Sequence, residues 1–472
     1  MSLQSLNYLL FLAGVAGVYW LMGRRLQNWW LLAVSLWFYG AVHPALLGLL
    51  AAMTAGAFFP ALAMERWPGR QKAWFLAGTV VCLGLLGVFK YYGFFVANLA
   101  ALLGWLGLSF QAPVLDLLLP LGISFYTFRA VAYLADVQAG KLAARRHLGE
   151  FGLFMAFFPQ LVAGPIERAG HFLPQIEAPR QLTAEHLRRA LYLLVWGLFK
   201  KLVIADNVGI MVDKVFSLAE PGLGLLLVGA FGYAIQIYAD FSALTDLARG
   251  SGHLLGFETL PNFRHPYLAD SVGDFWRRWH MTMSYWFRDY VYIPLGGSRR
   301  GEGRNAWNVM VTFLLSGLWH GAGWNFVLWG GYHGLLVLAG RWKHRWGLAP
   351  AAPGPWRRAW QVAVTFVLVS LGWLLFRESD LAWLARQFAG PVWPASAGGG
   401  LVALYLFWNM LLYSLPLWLH PVWDAWRRRA ADQGPGAGWG PELAGLAALS
   451  LMFLGVLILQ SPAPSTFIYA QF

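Results

Sequence analysis

The sequence predicts an all-α, polytopic membrane protein, and three observations support that prediction. First, 58% of its 472 residues are hydrophobic and only 12% are charged, which is about half of the charged fraction of a soluble domain. Second, apolar runs close to the length that a helix needs to cross a bilayer recur along the whole chain. Third, the alternating pattern of a membrane β-barrel is absent, and backbone amides in lipid must then pair within helices.

The predicted helices follow one another along the chain with short loops between them. Residues 151–164 are too short to span and contain Pro159, which indicates a buried or re-entrant helix. Pro120 and Gly122 predict a kink within residues 112–135. The apolar runs cover residues 5–22, 29–42, 45–63, 73–89, 93–107, 112–135, 151–164, 190–215, 222–245, 306–318, 322–340, 360–376, 400–419 and 443–460.

These runs belong to a single membrane domain, which extends over residues 1–472 and contains about 9 to 12 true spans. Lys and Arg collect in the short loops and give a net charge of +13, which is the pattern of cytoplasmic loops in an inner-membrane protein. The lipid bilayer, and not nucleic acid, is therefore the expected partner of these basic residues. The same rule places residues 377–399 outside, residues 420–440 inside and the C-terminal tail outside.

One histidine lies deep in the predicted membrane region. Residues 264–304 and 341–358 are rich in arginine and are both predicted to be cytoplasmic, so the segment between them must enter and return. His320, in the motif GLWHGAGW, lies near the middle of this excursion, where an ionisable side chain is costly and usually functional. The glycines of the motif allow backbone or ligand to approach the ring, and imidazole can exchange a proton near neutral pH. The alternative is a packed histidine whose nitrogens bond to neighbouring carbonyls.

The block DFWRRWHMTMSYWFRDYVYIPLGG, residues 274–297, carries a second histidine. Its aromatic residues and His280 recur at helical spacing, while arginines mark the other faces. This pattern predicts a helix in or near the cytoplasmic interface. Arg277, Arg278 and Arg288 are candidates to bind the phosphates of a donor molecule. The alternative is an interfacial helix whose arginines contact only lipid headgroups, which explains the charges but not His280.

Two aspartates close the apolar run that precedes this block. For Asp240 we favour a structural role, as the partner of a buried Arg or Tyr, over catalysis, whereas Asp246 lies near the predicted helix end. The sequence contains no Gly-rich phosphate loop, HExxH motif, Cys/His cluster or G-x-S-x-G elbow, and its single cysteine, Cys82, lies in an apolar run. No metal site is predicted.

Eight stretches, in this order, resemble the bacterial branch of the membrane-bound O-acyltransferase (MBOAT) family, and most closely its alginate O-acetyltransferase type. The pairing of the 274–297 block with GLWHGAGW about twenty residues later is the most specific of these features. The stretches are FKYYGFF (89–95), ISFYTFRAVAYLADV (123–137), FFPQLVAGPIER (157–168), GLFKKLVIAD (197–206), YADFSALTD (238–246), the block itself, GLWHGAGW (317–324) and the terminal FIYAQF (467–472).

The resemblance implies a ring of helices around a funnel, with re-entrant and interfacial helices and an essential histidine at the constriction. Carried over by position, that residue is His320, and His280 is the second catalytic histidine. The acyl donor is expected to be cytoplasmic acetyl-CoA, as a substrate and not a bound cofactor, and a periplasmic SGNH-type acetyltransferase (AlgX/AlgJ-like) completes transfer to a polysaccharide. His320 acts either as a general base or as a transient acyl carrier. The predicted donor-binding set also includes Trp279 and Trp319, and the predicted structural or cavity set is Asp240, Ser284 and Asn325.

Other functions remain open at this stage. The acceptor can be alginate, which we place first, or peptidoglycan, cellulose or another exopolysaccharide. A transporter or flippase would also use broken helices and membrane histidines, although we find no inverted repeat in the sequence. A scaffold for polysaccharide export, without chemistry of its own, is a third possibility.

Overall fold

The computed structural model describes residues 2–110, 115, 120–161, 164–345, 354–393, 398–432, 440–462, 465, 467 and 468. These residues form helices, turns and loops and contain no strand, which confirms the all-α prediction. The helices are α1 Leu6–Trp20, α2 Arg24–Gly40, α3 Ala45–Arg66, α4 Gln71–Leu86, α5 Tyr92–Trp105, α6 Ile123–Gln138, α7 Leu148–Ala156, α8 Phe158–Leu161, α9 Ala169–Glu177, α10 Ala184–Phe199, α11 Asp206–Phe216, α12 Gly222–Leu254, α13 Val272–Arg278, α14 Met281–Phe287, α15 Glu302–His320, α16 Trp324–Arg345, α17 Pro355–Arg377, α18 Leu381–Ala389, α19 Gly399–Asp432 and α20 Gly440–Leu459.

Most of the predicted apolar runs lie largely within these helices, and the protein is a multi-pass membrane protein. Within the described part of the chain, six helical segments are long and apolar enough to cross a membrane. The total of 9 to 12 spans stays a prediction, because several other helices are shorter or less apolar. The six segments are Ala45–Arg66, Pro68–Trp105, Gly222–Leu254, Pro355–Arg377, Gly399–Ala430 and Gly440–Leu459.

The helix α12 lies at the centre of the bundle, and α10, α11, α17 and α19 pack around it. Glycines permit close approach of α10 to α12. A Cβ on Gly197 would lie 3.1 Å from the carbonyl oxygen of Ala243, and one on Gly250 would lie 3.1 Å from that of Ala190. Because lipid gives helices no hydrophobic drive to associate, small residues that let backbones approach are the usual means of packing in membranes.

The structure corrects two predictions about local structure. Residues 274–297 do not form one helix, because the backbone breaks at His280, which adopts a left-handed conformation with φ of +41° between α13 and α14. In the run 112–135, α6 begins only at Ile123, because residues 120–122 are not helical and Gly122 has φ of +79°; the predicted kink is instead the start of a helix. Residues 111–114 and 116–119 lie outside the described part.

The short run around Pro159 forms the end of α7 and all of α8, and its apolar side chains from Phe151 to Leu161 are buried, as predicted for a buried helix.

Three helices widen into π-helical turns, and each turn carries a basic residue. These turns are Gly87–Tyr91, Lys200–Ala205 and Arg288–Tyr292. A π turn inserts one extra residue, which redirects the side chains around it, and such turns are frequent at functional sites. The basic residues Lys90, Lys200, Lys201 and Arg288 are thereby placed at the polar clusters described below.

Candidate active site

The position of His320 is set by close backbone contact between α15 and α16. A Cβ on Gly317 would lie 2.2 Å from the carbonyl oxygen of Phe326, and one on Gly330 would lie 2.3 Å from that of Phe313. Both distances are shorter than any atomic contact allows, so only glycine fits at either position. Neighbouring protein atoms therefore fill the space beside the glycines of the GLWHGAGW motif: the Phe326 carbonyl lies against Gly317, and the Phe326 ring lies against Gly321. His320 ends α15, and only 3% of its surface is exposed.

Lys90 caps the helix that carries His320. Its ammonium donates hydrogen bonds to the carbonyl oxygens of Trp319 (2.7 Å) and His320 (3.0 Å). The neighbouring Tyr91 hydroxyl donates to the carbonyl of Leu318 at 2.9 Å. The last carbonyls of a helix have no partner within the helix, and a cation there is favoured by the helix dipole. The FKYYGFF motif thus holds the end of α15, a role that its sequence did not reveal.

His280 and His320 share one aromatic neighbour. The Trp319 ring lies 4.9 Å from the His320 ring and 5.8 Å from the His280 ring, measured between centroids. His280 is fully buried, and Phe241 stands edge-on to it at 4.7 Å. The structure therefore brings together the two histidines that the sequence proposed as catalytic, in a water-poor setting lined by aromatic rings.

A third histidine, His333 on α16, completes this group, which we call the histidine cage (His280, His320 and His333). The Trp329 ring lies 4.9 Å from His320 and 5.0 Å from His333, so it separates these two residues. His333 is fully buried, and neither of its ring nitrogens has a hydrogen-bond partner among the described residues. His333 was not predicted from the sequence, although it lies in the same membrane excursion, thirteen residues after His320.

A cavity of about 230 Å³ lies next to the cage; none of the three histidines lines it, but Trp276 does, and the Trp276 ring lies 5.1 Å from the His333 ring. Ser316 and Ser284 line the cavity, and each lies four residues along the chain from a cage histidine, His320 and His280 respectively. On a helix, residues four apart share a face, so Ser316, which forms part of the cavity wall, and His320 lie on the same side of α15. Arg288 and Arg341 also line the cavity and place positive charge beside its apolar walls.

The predicted donor-binding arginines differ in their placement. Arg288 lines the cavity, with its guanidinium 4.9 Å from the Tyr285 ring centroid and its Nε 2.7 Å from Oδ1 of the adjacent Asp289. Arg277 and Arg278 instead pair with Asp274 on their own helix, at 3.4 and 2.7 Å.

The remaining predicted residues have structural contacts. Trp279 is fully buried, 4.9 Å from the Trp373 ring. Ser284 donates to the Trp279 carbonyl at 3.2 Å, and Asn325 donates to the Leu375 carbonyl at 3.2 Å, which joins α16 to α17.

Asp240 lies outside the histidine cage, and its predicted partner was wrong. The buried partner beside it is neither Arg nor Tyr but Lys201. The ammonium of Lys201 lies 2.8 Å from Asp240 and 2.8 Å from Asp206. The C-terminal tail joins the same cluster: the Ile468 amide donates to Asp240 and the Ser465 hydroxyl donates to Asp206, both at 2.7 Å. The structural role predicted for Asp240 therefore has a specific form, in which a carboxylate holds the tail against the bundle.

Comparison with known proteins assigns the family. Residues 123–375 match the model of the membrane-bound O-acyltransferase family. The chain is 36% identical to a probable alginate O-acetylase AlgI from Azotobacter vinelandii and 35% identical to one from Pseudomonas putida, with 98% of each chain covered in both alignments. It is also 33% identical to a peptidoglycan O-acetyltransferase from Helicobacter pylori, over 77% of this chain and 73% of the relative. With His280 and His320 in one buried aromatic cage, the chain belongs to the membrane-bound O-acyltransferase family and is a multi-pass O-acyltransferase of the alginate O-acetylase type.

Proposed function

We propose that this enzyme takes an acetyl group from cytoplasmic acetyl-CoA and passes it across the bacterial inner membrane for O-acetylation of an exopolysaccharide. The observation that carries this proposal is the position of His320 and His280 around one tryptophan, next to a cavity that has arginines in its lining. A proton-exchanging group, a buried reaction space and an anion-binding wall are the three parts that transfer from an anionic thioester requires.

The donor enters along the cavity beside α14 and α15. Arg288 and Arg341 meet the phosphates of coenzyme A, because guanidinium groups bind phosphate oxygens through paired N–H donors. The apolar walls accept the pantetheine arm, and Ser316 lies at the side of the cavity that faces His320. Arg277 and Arg278 lie on α13, beside this route, and remain candidate outer contacts for the same phosphates.

His320 acts as the general base. It accepts the proton of an incoming hydroxyl, whose oxygen attacks the thioester carbonyl; the carbon–sulfur bond breaks, and the proton passes to the departing thiolate. The products are an acetyl ester and free coenzyme A. A general base of this kind contributes about 10²- to 10⁴-fold in rate. Transfer of the acetyl group onto a His320 nitrogen is the alternative course. A thioester on Cys82 is not part of either course, because this thiol is buried between α3 and α4.

The acceptor pathway is polysaccharide modification outside the membrane, and alginate is the first candidate. The proteins that cover this chain almost completely are named as alginate O-acetylases. A periplasmic SGNH-type acetyltransferase completes the transfer. Peptidoglycan is the second candidate acceptor, because a relative named for that reaction aligns with most of the chain.

Release of coenzyme A by the purified enzyme tests the proposal. Detergent-solubilised or nanodisc-embedded protein is mixed with acetyl-CoA, with and without the periplasmic partner, and free thiol is measured for wild type, His320→Ala and His280→Ala. His186→Ala, near the start of α10 and away from the cage, is the matched control. Size-exclusion profiles show whether each variant folds.

The proposal expects release by wild type and the control, at least a hundredfold less from His320→Ala, and radiolabelled acetyl transfer that follows the same order. Labelled acetyl trapped on His320 after acid quench would select the acyl-carrier course. Equal release from wild type and His320→Ala, or none with the partner present, would overturn the proposal. In that case solute flux through proteoliposomes would be the next measurement, for the transporter function.

A further inference from the structure

A second cluster of side chains, remote in sequence from the histidine cage, has the geometry of a metal site. The Nε2 atom of His265 lies 3.0 Å from Oδ2 of Asp424, and Nδ1 of His420 lies 3.5 Å from the same oxygen. All three donor atoms lie within 4.8 Å of one another. His265 and Asp424 are 159 residues apart in the chain, so the cluster cannot be predicted from a local sequence motif.

These distances suit coordination around one ion. Zn²⁺ binds imidazole nitrogen and carboxylate oxygen at about 2.0 to 2.2 Å, and tetrahedral angles then separate neighbouring ligand atoms by about 3.3 to 3.5 Å. The measured separations of 3.0 and 3.5 Å lie within about 0.3 Å of that spacing, and the two imidazole nitrogens lie within 4.8 Å of each other. Two imidazoles and one carboxylate form a known type of three-ligand zinc site, with the fourth position left to water.

The orientation of His420 supports the same assignment. Its Nε2 lies 2.7 Å from the hydroxyl of Tyr192, and its ring stacks on Trp196 at 4.8 Å with an interplanar angle of 3°. A metal-binding histidine usually donates its second N–H to a nearby oxygen, which fixes both the tautomer and the direction of the free nitrogen. Tyr192 and Trp196 therefore hold Nδ1 of His420 towards Asp424.

The backbone of His265 is held in an uncommon conformation. Its φ of +46° lies in the left-handed region, and in the described part of the chain only His280 among the other non-glycine residues shares that feature. The next residue is Pro266, which further restricts the preceding backbone. Such conformations persist only where the surroundings enforce them, and they concentrate at functional sites and ligand clamps.

A polar pocket of about 230 Å³ lies against the cluster, and His265, His420 and Asp424 are part of its lining. It offers room for a water molecule as the fourth ligand. The one ammonium group in the lining, that of Lys200, is bound to Asp246 at 2.7 Å and to Ser242 at 2.8 Å, so its charge is locally balanced. Three arginines, Arg249, Arg264 and Arg428, line the pocket as well, and Arg249 lies 3.5 Å from Asp246.

We propose that His265, His420 and Asp424 bind a divalent transition-metal ion, with Zn²⁺ the best match to two imidazoles and one carboxylate. The ion joins α19 to the segment before α13. That segment also supports the cage, because the Asn262 carbonyl accepts the Met281 amide at 2.9 Å and its side chain accepts the Thr282 hydroxyl at 2.6 Å. Met281 directly follows His280, so the ion is a structural clip that steadies one wall of the active site.

Metal content of the intact protein tests this inference without reference to activity. Tag-free full-length protein is stripped with a chelator, reloaded with Zn²⁺ or Co²⁺, freed of excess ion and analysed by elemental mass spectrometry. Wild type is compared with Asp424→Asn, His265→Gln and the control His186→Gln. His265→Cys is added because a thiolate is also a zinc ligand.

We expect one ion per chain in wild type and in the control, and at least tenfold less metal in Asp424→Asn and His265→Gln. Zn²⁺ should raise the melting temperature of wild type and the control, but not that of Asp424→Asn or His265→Gln. His265→Cys should retain Co²⁺ and add a sulfur-to-metal charge-transfer band. Wild type that holds less than a tenth of an ion per chain after loading would overturn the inference. So would metal content that is unchanged in Asp424→Asn and His265→Gln.

Discussion

Two regions of the molecule bury polar groups in opposite ways. In the histidine cage, imidazoles lie among tryptophan and phenylalanine rings. In the lysine network on α10 to α12, which comprises Lys200, Lys201, Asp206, Asp240 and Asp246, each ammonium contacts at least one carboxylate at 2.7 to 2.8 Å. One region holds groups that can exchange a proton, and the other holds charges already matched by opposite charges.

This difference separates residues that take part in the reaction from residues that hold segments of the protein together. Burial of an unmatched charge is very costly, so the fully buried Lys201 lies between two carboxylates, and such a pair fixes the segments that carry it. Imidazole can be buried in its neutral form and remains able to accept a proton when a substrate arrives. We therefore expect changes in the lysine network to lower stability, and changes in the cage to lower activity.

The largest expected effect on stability comes from Lys201→Met. The change leaves two buried carboxylates, Asp206 and Asp240, without their shared cation, which should cost about 3 to 5 kcal/mol. Thermal unfolding in detergent and hydrogen exchange of the tail measure it. The matched control is Lys214→Met, on the exposed side of α11. Adding Asp206→Asn and Asp240→Asn to Lys201→Met should restore most of the lost stability, and no recovery would contradict the charge-pairing account.

A smaller effect is expected from Gly317→Ala, which tests whether steric contact positions the cage. The added Cβ meets the Phe326 carbonyl at 2.2 Å, so α15 and α16 must separate, at a cost of about 3 kcal/mol. Coenzyme A release should fall together with the melting temperature. Gly303→Ala on the same helix meets no atom within 4 Å and should change neither. Wild-type behaviour of both variants would show that α15 is free to shift.

Lys90→Met should lower both activity and stability, because Lys90 holds the end of the helix that carries His320 and is a partly buried cation. Loss of its two hydrogen bonds to the end of α15 should cost about 2 kcal/mol. We expect coenzyme A release to fall about tenfold, which is ~1.4 kcal/mol in the barrier. Lys72→Met, an exposed lysine on the preceding helix, is the control. A stable variant with full activity would remove Lys90 from the site.

The smallest expected effect is that of Arg288→Ala on the donor. The side chain is about half exposed, so its contact with phosphate is partly screened and contributes about 1 kcal/mol. The KM for acetyl-CoA should rise about fivefold with kcat unchanged. Arg304→Ala, at the exposed start of α15, should leave both constants unchanged. A fall in kcat without a change in KM would place Arg288 elsewhere in the reaction.

The sequence alone determined the fold class, the helices and the two central histidines. Runs of apolar residues become helices in lipid because no other backbone arrangement satisfies the amides there. His320 and His280 could be identified because a histidine among apolar and aromatic residues is conspicuous in sequence.

Tertiary structure decided how these parts meet. The break at His280 depends on a left-handed backbone that helical periodicity cannot reveal. The roles of Lys90 and His333, the pairing of Lys201 with Asp240, and the cluster of His265, His420 and Asp424 all depend on contacts between residues far apart in the chain. Local sequence sets the helices, whereas the crossing of helices brings distant charges and rings together, and only packing determines which of them meet.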